Sequence, residues 1–314
     1  MAIRQRIQRR VVRSGPVRGV IAGSKRVYVP GFGKFTLFDV WGPFIQQLRK
    51  ANLFERAAAI SFNIFMAIPP TLIFIFTLIP FLPISDRFIM EIFSLIRDIV
   101  PGEKNNSVII GFLNDFLNQP RNELLSFGLL LAILFSSNAM MGIMRSFDKN
   151  YPGFVRRRTL RKRKVALLLS LTILALVFSC LLLLIAHEVV LKWVGIETAW
   201  VLSLIQNVRW IFIILLVFFS VSFIYRHAPA LVAKWPFITP GSVFATSLMV
   251  LATALVSFWV NNFNNYNKLY GSISAVFILM SLIYVNALVI LIGFELNVTL
   301  SSLKAAEANG DIPL

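Results

Sequence analysis

The sequence predicts an all-α, polytopic membrane protein with six transmembrane helices, amphipathic helices at the interfaces and both termini cytoplasmic. Three observations carry this. The 314 residues are 57% hydrophobic and only 14% charged, where soluble domains average about one-quarter charged residues. Uncharged runs long enough to cross a hydrocarbon core of about 30 Å, roughly 20 residues as helix, recur along the chain. The basic residues between those runs alternate in number from one segment to the next.

The runs are Ala57 to Ile84, Leu124 to Met144, Val165 to Ala186, Ala199 to Tyr225 interrupted by Arg209, Trp235 to Asn267, and Leu269 to Phe294. Of 31 Lys and Arg residues, segments on one side hold 12, 9, 2 and 1, and segments on the other hold 4, 1 and 1, with Arg209 inside a run. Positively charged loops stay cytoplasmic, so the heavier side is the inner one. The formal charge of +17 would point to nucleic acid in a soluble protein; here 24 of the 31 basic residues fall on the inner side and serve as an orientation signal.

Residues 1–34 carry nine basic residues and no acid, and read as a basic cytoplasmic tail that touches anionic headgroups. There is no apolar core of a signal peptide behind Arg9 and Arg10. Leu37, Trp41, Phe44, Ile45 and Leu48 then fall at helical spacing, with Gln46, Gln47, Arg49 and Lys50 assigned to the other face. That pattern suits a short helix lying in the inner interface. Residues 35–304 form the six-span domain, and 305–314 a C-terminal tail. The outer loop at 85–123, with six acidic against four basic residues, is expected to hold two amphipathic helices. One runs through Phe88, Ile92, Phe93, Ile96 and Ile99, the other through Ile109, Leu113, Phe116 and Leu117.

Polar groups in hydrocarbon need partners or a water-filled cavity. In the first span, Asn63 and the pair Pro69 and Pro70 stand out, the prolines being expected to kink or break the helix. Such a break lines a substrate cavity in some transporters and is a packing kink elsewhere. The second span ends in Ser136, Ser137 and Asn138, followed by Arg145 and Asp148, which are spaced to pair. Arg209 has two readings: it snorkels to the interface, or it binds an anionic group. In the last span, Ser281, Tyr284 and Glu295 share a face, while Asn286, Gly293 and Asn297 form a second stripe. Glu295 has no basic residue within four positions. It either couples to protons or pairs with Arg145 or Arg226 from another helix.

One cysteine and two histidines leave little material for disulfides or a metal site. No phosphate-cradling loop is present, since Gly31-Phe32-Gly33-Lys34 lacks the spacing, and Gly271-Ser272-Ile273-Ser274-Ala275 is no nucleophile elbow. No catalytic residues, cofactor or metal are expected.

Three blocks resemble the YihY or virulence factor BrkB family of bacterial inner-membrane proteins, once labelled ribonuclease BN. They are Arg56-Ala57-Ala58-Ala59-Ile60-Ser61-Phe62-Asn63 running to Ile68-Pro69-Pro70; Tyr225-Arg226-His227-Ala228-Pro229 leading to Thr239-Pro240-Gly241; and Tyr266-Asn267-Lys268-Leu269-Tyr270-Gly271-Ser272 through Gly293-Phe294-Glu295-Leu296-Asn297. The resemblance covers roughly residues 34–300. It departs at Asn63, where an aromatic is usual, and at Met66-Ala67, where Leu-Ser is commoner.

The resemblance implies a six-helix inner-membrane protein of envelope integrity, with a part in moving lipid or lipopolysaccharide precursors proposed for some members. The expected function is transport or flipping of a lipid-like or amphipathic envelope component. Its polar path would use Asn63, Pro69, Pro70, Asn138, Ser281, Tyr284, Asn286 and Glu295, with Arg145, Arg209 and Arg226 contacting anions or headgroups. Membrane lipids and a lipid-linked substrate are the expected partners, with no specific nucleic acid. The alternative is a non-transporting scaffold for envelope partners. Ribonuclease activity conflicts with the scarcity of metal ligands and with six short-looped spans.

Overall fold

The computed structural model describes residues 35–78, 111, 122–148, 151, 153–155, 157–194, 199–262 and 273–309; at 37, 76, 122, 124, 180–194, 199–210, 260–262 and 273–275 it describes only the backbone. The expected tail at 1–34 and both outer-loop helices lie outside the described residues. So does the Tyr266 to Ser272 part of the third resembling block.

Among the described residues there are seven helices: α1 (Leu37–Lys50), α2 (Leu53–Leu78), α3 (Asn122–Phe147), α4 (Thr159–Val194), α5 (Ala199–His227), α6 (Pro240–Asn262) and α7 (Ile273–Ala308). Each of α2 to α6 packs against the next in sequence, α6 packs on α7, and α7 returns to α2, so the packing closes into a ring with α1 docked on α7. Four of them contain stretches long and apolar enough to cross a membrane: Leu53–Ile75, Leu125–Phe147, Pro240–Trp259 and Val276–Ala308. The expected third and fourth runs fall on α4 and α5, the latter carrying a shorter apolar stretch, Ile211–His227. Helix α7 continues to Ala308, so the first residues expected as C-terminal tail are helical.

The outside of the ring is apolar. Phe54, Phe62, Phe127, Leu130, Leu255 and Phe258 are exposed. Exposed apolar surface on this scale is a liability in water but matches lipid.

Helix α1 begins at Thr36, whose hydroxyl accepts from the Asp39 backbone while the Asp39 carboxylate accepts from the Thr36 backbone, a reciprocal capping box. It buries Val40 and Phe44 against Leu300, with Leu296 and Leu303 around them. Trp41, expected on that face, is exposed. Between α1 and α2 the chain reverses through Asn52 at φ +48°, a left-handed conformation that asparagine tolerates better than most residues.

Of the expected kink or break, the break does not occur: α2 continues as one helix through Pro69 and Pro70. Each proline removes one backbone donor, yet neighbouring helices and hydroxyls can hold such a helix in register. Thr71 donates to the Ala67 carbonyl at 2.7 Å, and Thr77 to the Ile73 carbonyl at 2.9 Å.

At α6 the start signal is complete. The Ser242 N–H donates to Thr239 Oγ1 and the Thr239 N–H to Ser242 Oγ, both at 3.0 Å, with Pro240 at the first helical position. Asn297 of α7 completes the cap: its Oδ1 accepts from the Gly241 N–H at 2.9 Å and its Nδ2 donates to Thr239 Oγ1 at 3.0 Å. The second polar stripe of the last span therefore becomes a packing face. Gly293 belongs to it, since a Cβ there would lie 2.6 Å from the Tyr225 hydroxyl and 2.7 Å from the Gly241 carbonyl.

Candidate functional site

The contacts gather the start of α2, the end of α3, the start of α4, the end of α5, the start of α6 and the second half of α7 at one end of the ring. Phe294 is the centre of the core there. It stacks on Phe147 at 3.9 Å between centroids and 6° between planes, and Tyr151, Phe154, Tyr225 and Trp235 surround it. One residue further along α7, Glu295 points into the same core and is 0% exposed.

A carboxylate buried this deeply is costly unless its charge and lone pairs are met. Arg56, itself 9% exposed, places Nη1 2.5 Å from Glu295 Oε1. Gln47 donates Nε2–H to Oε2 at 2.9 Å, and the Tyr151 hydroxyl lies 3.0 Å from both oxygens. Burial first, and then the Glu295 charge, raises the pKa of the Tyr151 phenol above its ordinary value, so it remains a neutral donor. The arrangement joins α1, α2, α7 and the α3–α4 connection.

Arg56 does more than neutralise Glu295. Its Nη1 also donates to the Ala51 carbonyl at 2.9 Å and its Nη2 to the Ser146 carbonyl at 2.5 Å. These carbonyls lie at the C-terminal ends of α1 and α3, where unpaired acceptors and the negative end of the helix dipole favour a cation.

The sequence-derived candidates fare unevenly. Glu295 is an inter-helix partner, as one reading required, but its cation is Arg56 and not Arg145 or Arg226. Arg145 is exposed and Arg226 half-buried. The proposed Arg145–Asp148 pairing gives way to Lys162, which the α4 start brings onto Asp148. Gln47, assigned to the face of α1 opposite the apolar one, turns inward to Glu295.

The other path residues are held elsewhere. Asn63 donates to the Ala59 carbonyl at 2.6 Å and packs over Gly142 of α3. Asn138 accepts from Arg163 at 2.6 Å. Asn286 donates to the Leu282 carbonyl at 2.9 Å, and its Oδ1 is buried without a donor among the described residues. Ser281 is exposed, Tyr284 packs on the core, Pro69 is exposed and Pro70 buried. Arg209 lies on α5 with its side chain outside the described residues.

Arg56 and Tyr151 were missed as site residues. For Arg56 the signal was present: it is the cation nearest the start of the first span, and Glu295 lacked a local partner. Nothing local marks Tyr151. Among the described residues, no three His, Cys, Asp or Glu side chains are placed to hold a metal ion.

A family profile described as "Virulence factor BrkB" matches residues 44–312. The chain is 29% identical over 256 residues to the "Putative ribonuclease-like protein YfkH" of Bacillus subtilis, covering 80% of this chain and 90% of that one. It is 22% identical over 278 residues to the "UPF0761 membrane protein Smlt0865" of Stenotrophomonas maltophilia, covering 87% of this chain and 61% of that one. To the "UPF0761 membrane protein XAC0937" of Xanthomonas axonopodis it is 23% identical over 291 residues, covering 89% of this chain and 63% of that one. The chain thus spans less than two thirds of the length of these two UPF0761 proteins. No solved structure matches.

Proposed function

This chain belongs to the virulence factor BrkB family, and from that premise we propose that it transports or flips a lipid-like or amphipathic component during envelope biogenesis. In this reading it is a multi-pass protein of the bacterial inner membrane with six spans and both termini cytoplasmic. The gathering of Arg49, Lys50, Arg56, Arg145, Arg157 and Arg226 around one end of the ring supports the orientation. It acts without catalysis or cofactor, and the ribonuclease-like description stays with the Bacillus protein.

The observation that carries the reading is the buried Arg56–Glu295 pair. Ionisable residues inside a membrane domain are expensive and tend to mark substrate or ion pathways. An anionic headgroup reaching Arg56 would compete with Glu295 for it, and loss of that pair would loosen α1, α2, α3 and α7 together at this end. Arg56 and Glu295 thus form an inner gate that the substrate's own charge opens.

The test is leaflet exchange of fluorescently labelled phosphatidylglycerol in vesicles carrying the purified protein. Wild type is expected to exchange lipid faster than protein-free vesicles, and Glu295→Gln, at equal incorporation, to change that rate by roughly tenfold, an effect of about 1.4 kcal/mol on the barrier. Equal rates for wild type and Glu295→Gln would remove Glu295 from the mechanism. No exchange by wild type under any imposed gradient would sink the transport reading.

One observation favours a second reading, a non-transporting scaffold for envelope partners. Asn63, Asn138 and Asn286 bond locally or to a neighbouring helix and do not meet Glu295 in one passage.

A further inference from the structure

A cavity of about 670 Å³ opens where α4 begins and α5 ends, lined by Val155, Arg157, Arg158, Arg161, Ala230 and Leu231. Among the described residues, three cations and no acid line it. Its wall is fixed by backbone bonds between two connections, Val155 N–H to the Ala230 carbonyl at 2.7 Å and Val232 N–H to the Gly153 carbonyl at 3.1 Å. Arg157 is committed to that wall. Its Nη1 and Nη2 donate to the carbonyls of His227, Ala228 and Pro229 at 2.9–3.2 Å, closing the C-terminal end of α5.

Arg158 and Arg161 are exposed, and no described hydrogen bond or ion pair engages their side chains. The nearby carboxylate, Asp148, is already paired with Lys162. Two free guanidinium groups beside a third, in a recess, favour an anion, and their planar forks suit a phosphate.

The rim indicates which phosphate. Val155 in the lining is 52% exposed, and Val232, next to the lining Leu231 and bonded to the Gly153 carbonyl, is 76% exposed. In water these side chains would be wasted apolar surface, whereas at the end of a membrane helix they meet acyl chains while the arginines stay at headgroup depth. A soluble phosphate compound would gain nothing from that rim.

We propose that this cavity binds the phosphate headgroup of an anionic phospholipid, with Arg158 and Arg161 as its cations and Val155 and Val232 against its chains. The site is separate from the Arg56–Glu295 cluster and holds whether or not the protein moves lipid.

The experiment is native mass spectrometry of the full chain in a neutral detergent, titrated with phosphatidylglycerol or phosphatidylcholine. Wild type is expected to bind phosphatidylglycerol more tightly, and the double variant Arg158→Gln/Arg161→Gln to bind it roughly 30-fold more weakly, with phosphatidylcholine unchanged. A control that removes the same charge elsewhere, Arg49→Gln/Lys50→Gln, is expected to keep wild-type binding. Retention of most of the preference by Arg158→Lys/Arg161→Lys would add support. Equal binding of the two lipids, no loss in the double glutamine variant, or an equal loss in the control would overturn the proposal. Displacement of phosphatidylglycerol by millimolar inorganic phosphate would overturn it too, in favour of a site for free phosphate.

Discussion

Arg56 Nη1 lies 2.5 Å from Glu295 Oε1, bringing together two residues 239 positions apart in the core at one end of the helix ring. The same guanidinium reaches the last carbonyls of α1 and α3. The pair therefore fixes where the first two described helices, α3 and the last helix meet.

Removing one partner of a buried pair strands the other charge, at a cost of about 3–5 kcal/mol. Arg56→Leu and Glu295→Leu are each expected to lower the unfolding temperature in detergent sharply. The double variant should lose much less than the sum, because no charge is left stranded. Additive losses would show that the two groups are not coupled.

Gly293 and Gly241 let α6 and α7 approach until backbone meets backbone. A Cβ at Gly293 would sit 2.7 Å from both the Ala245 Cβ and the Gly241 carbonyl oxygen. Gly293→Ala is expected to cost about 1–3 kcal/mol or to disrupt the α6–α7 contact. At Gly128 the nearest atoms would be 3.4 Å away, and there Gly→Ala should be tolerated or mildly stabilising through helix propensity. Folded yield and unfolding temperature of the two variants test the contrast.

Two asparagines of α7 should respond in opposite directions. Asn297 bonds the Gly241 N–H and the Thr239 hydroxyl, so Asn297→Leu leaves the buried Gly241 N–H without its acceptor and should cost about 1–3 kcal/mol. Asn286 buries an Oδ1 that no described donor meets, so Asn286→Leu should be neutral or stabilising. Loss of equal size in both would contradict the assignment of Asn297 as the partner of the α6 start.

Tyr151 sets an alkaline limit. Its folded pKa is raised above the ordinary 10.0, by burial and then by Glu295, so the unfolded chain loses this proton at lower pH than the folded one. The stability due to the neutral phenol is present in full below about pH 10 and drains away as pH rises further. Between pH 9 and 11 the unfolding temperature should fall more steeply for wild type than for Tyr151→Phe. Parallel slopes would remove Tyr151 from the cause.

Hydrophobic runs and helical periodicity are local properties, which is why the all-helical membrane character, the amphipathic helix α1 and the need of Glu295 for a partner from another helix were legible in the sequence. The polar stripe of Asn286, Gly293 and Asn297 was legible as well, although its role as the α6 contact was not. Periodicity gives the face a residue occupies and says nothing about which helix covers that face. The continuous helix through Pro69 and Pro70 shows the same limit, because local propensity yields where neighbouring helices pack against the segment.

Composition, the spacing of apolar residues and the distribution of charge by themselves determined that this chain forms membrane-crossing helices. Only the tertiary structure decided that Glu295 answers to Arg56, Gln47 and Tyr151 rather than to Arg145 or Arg226. The physical reason is distance: burial costs an isolated carboxylate so much that some cation must come, but which of several basic residues near the helix ends arrives depends on how helices far apart in sequence close into a ring.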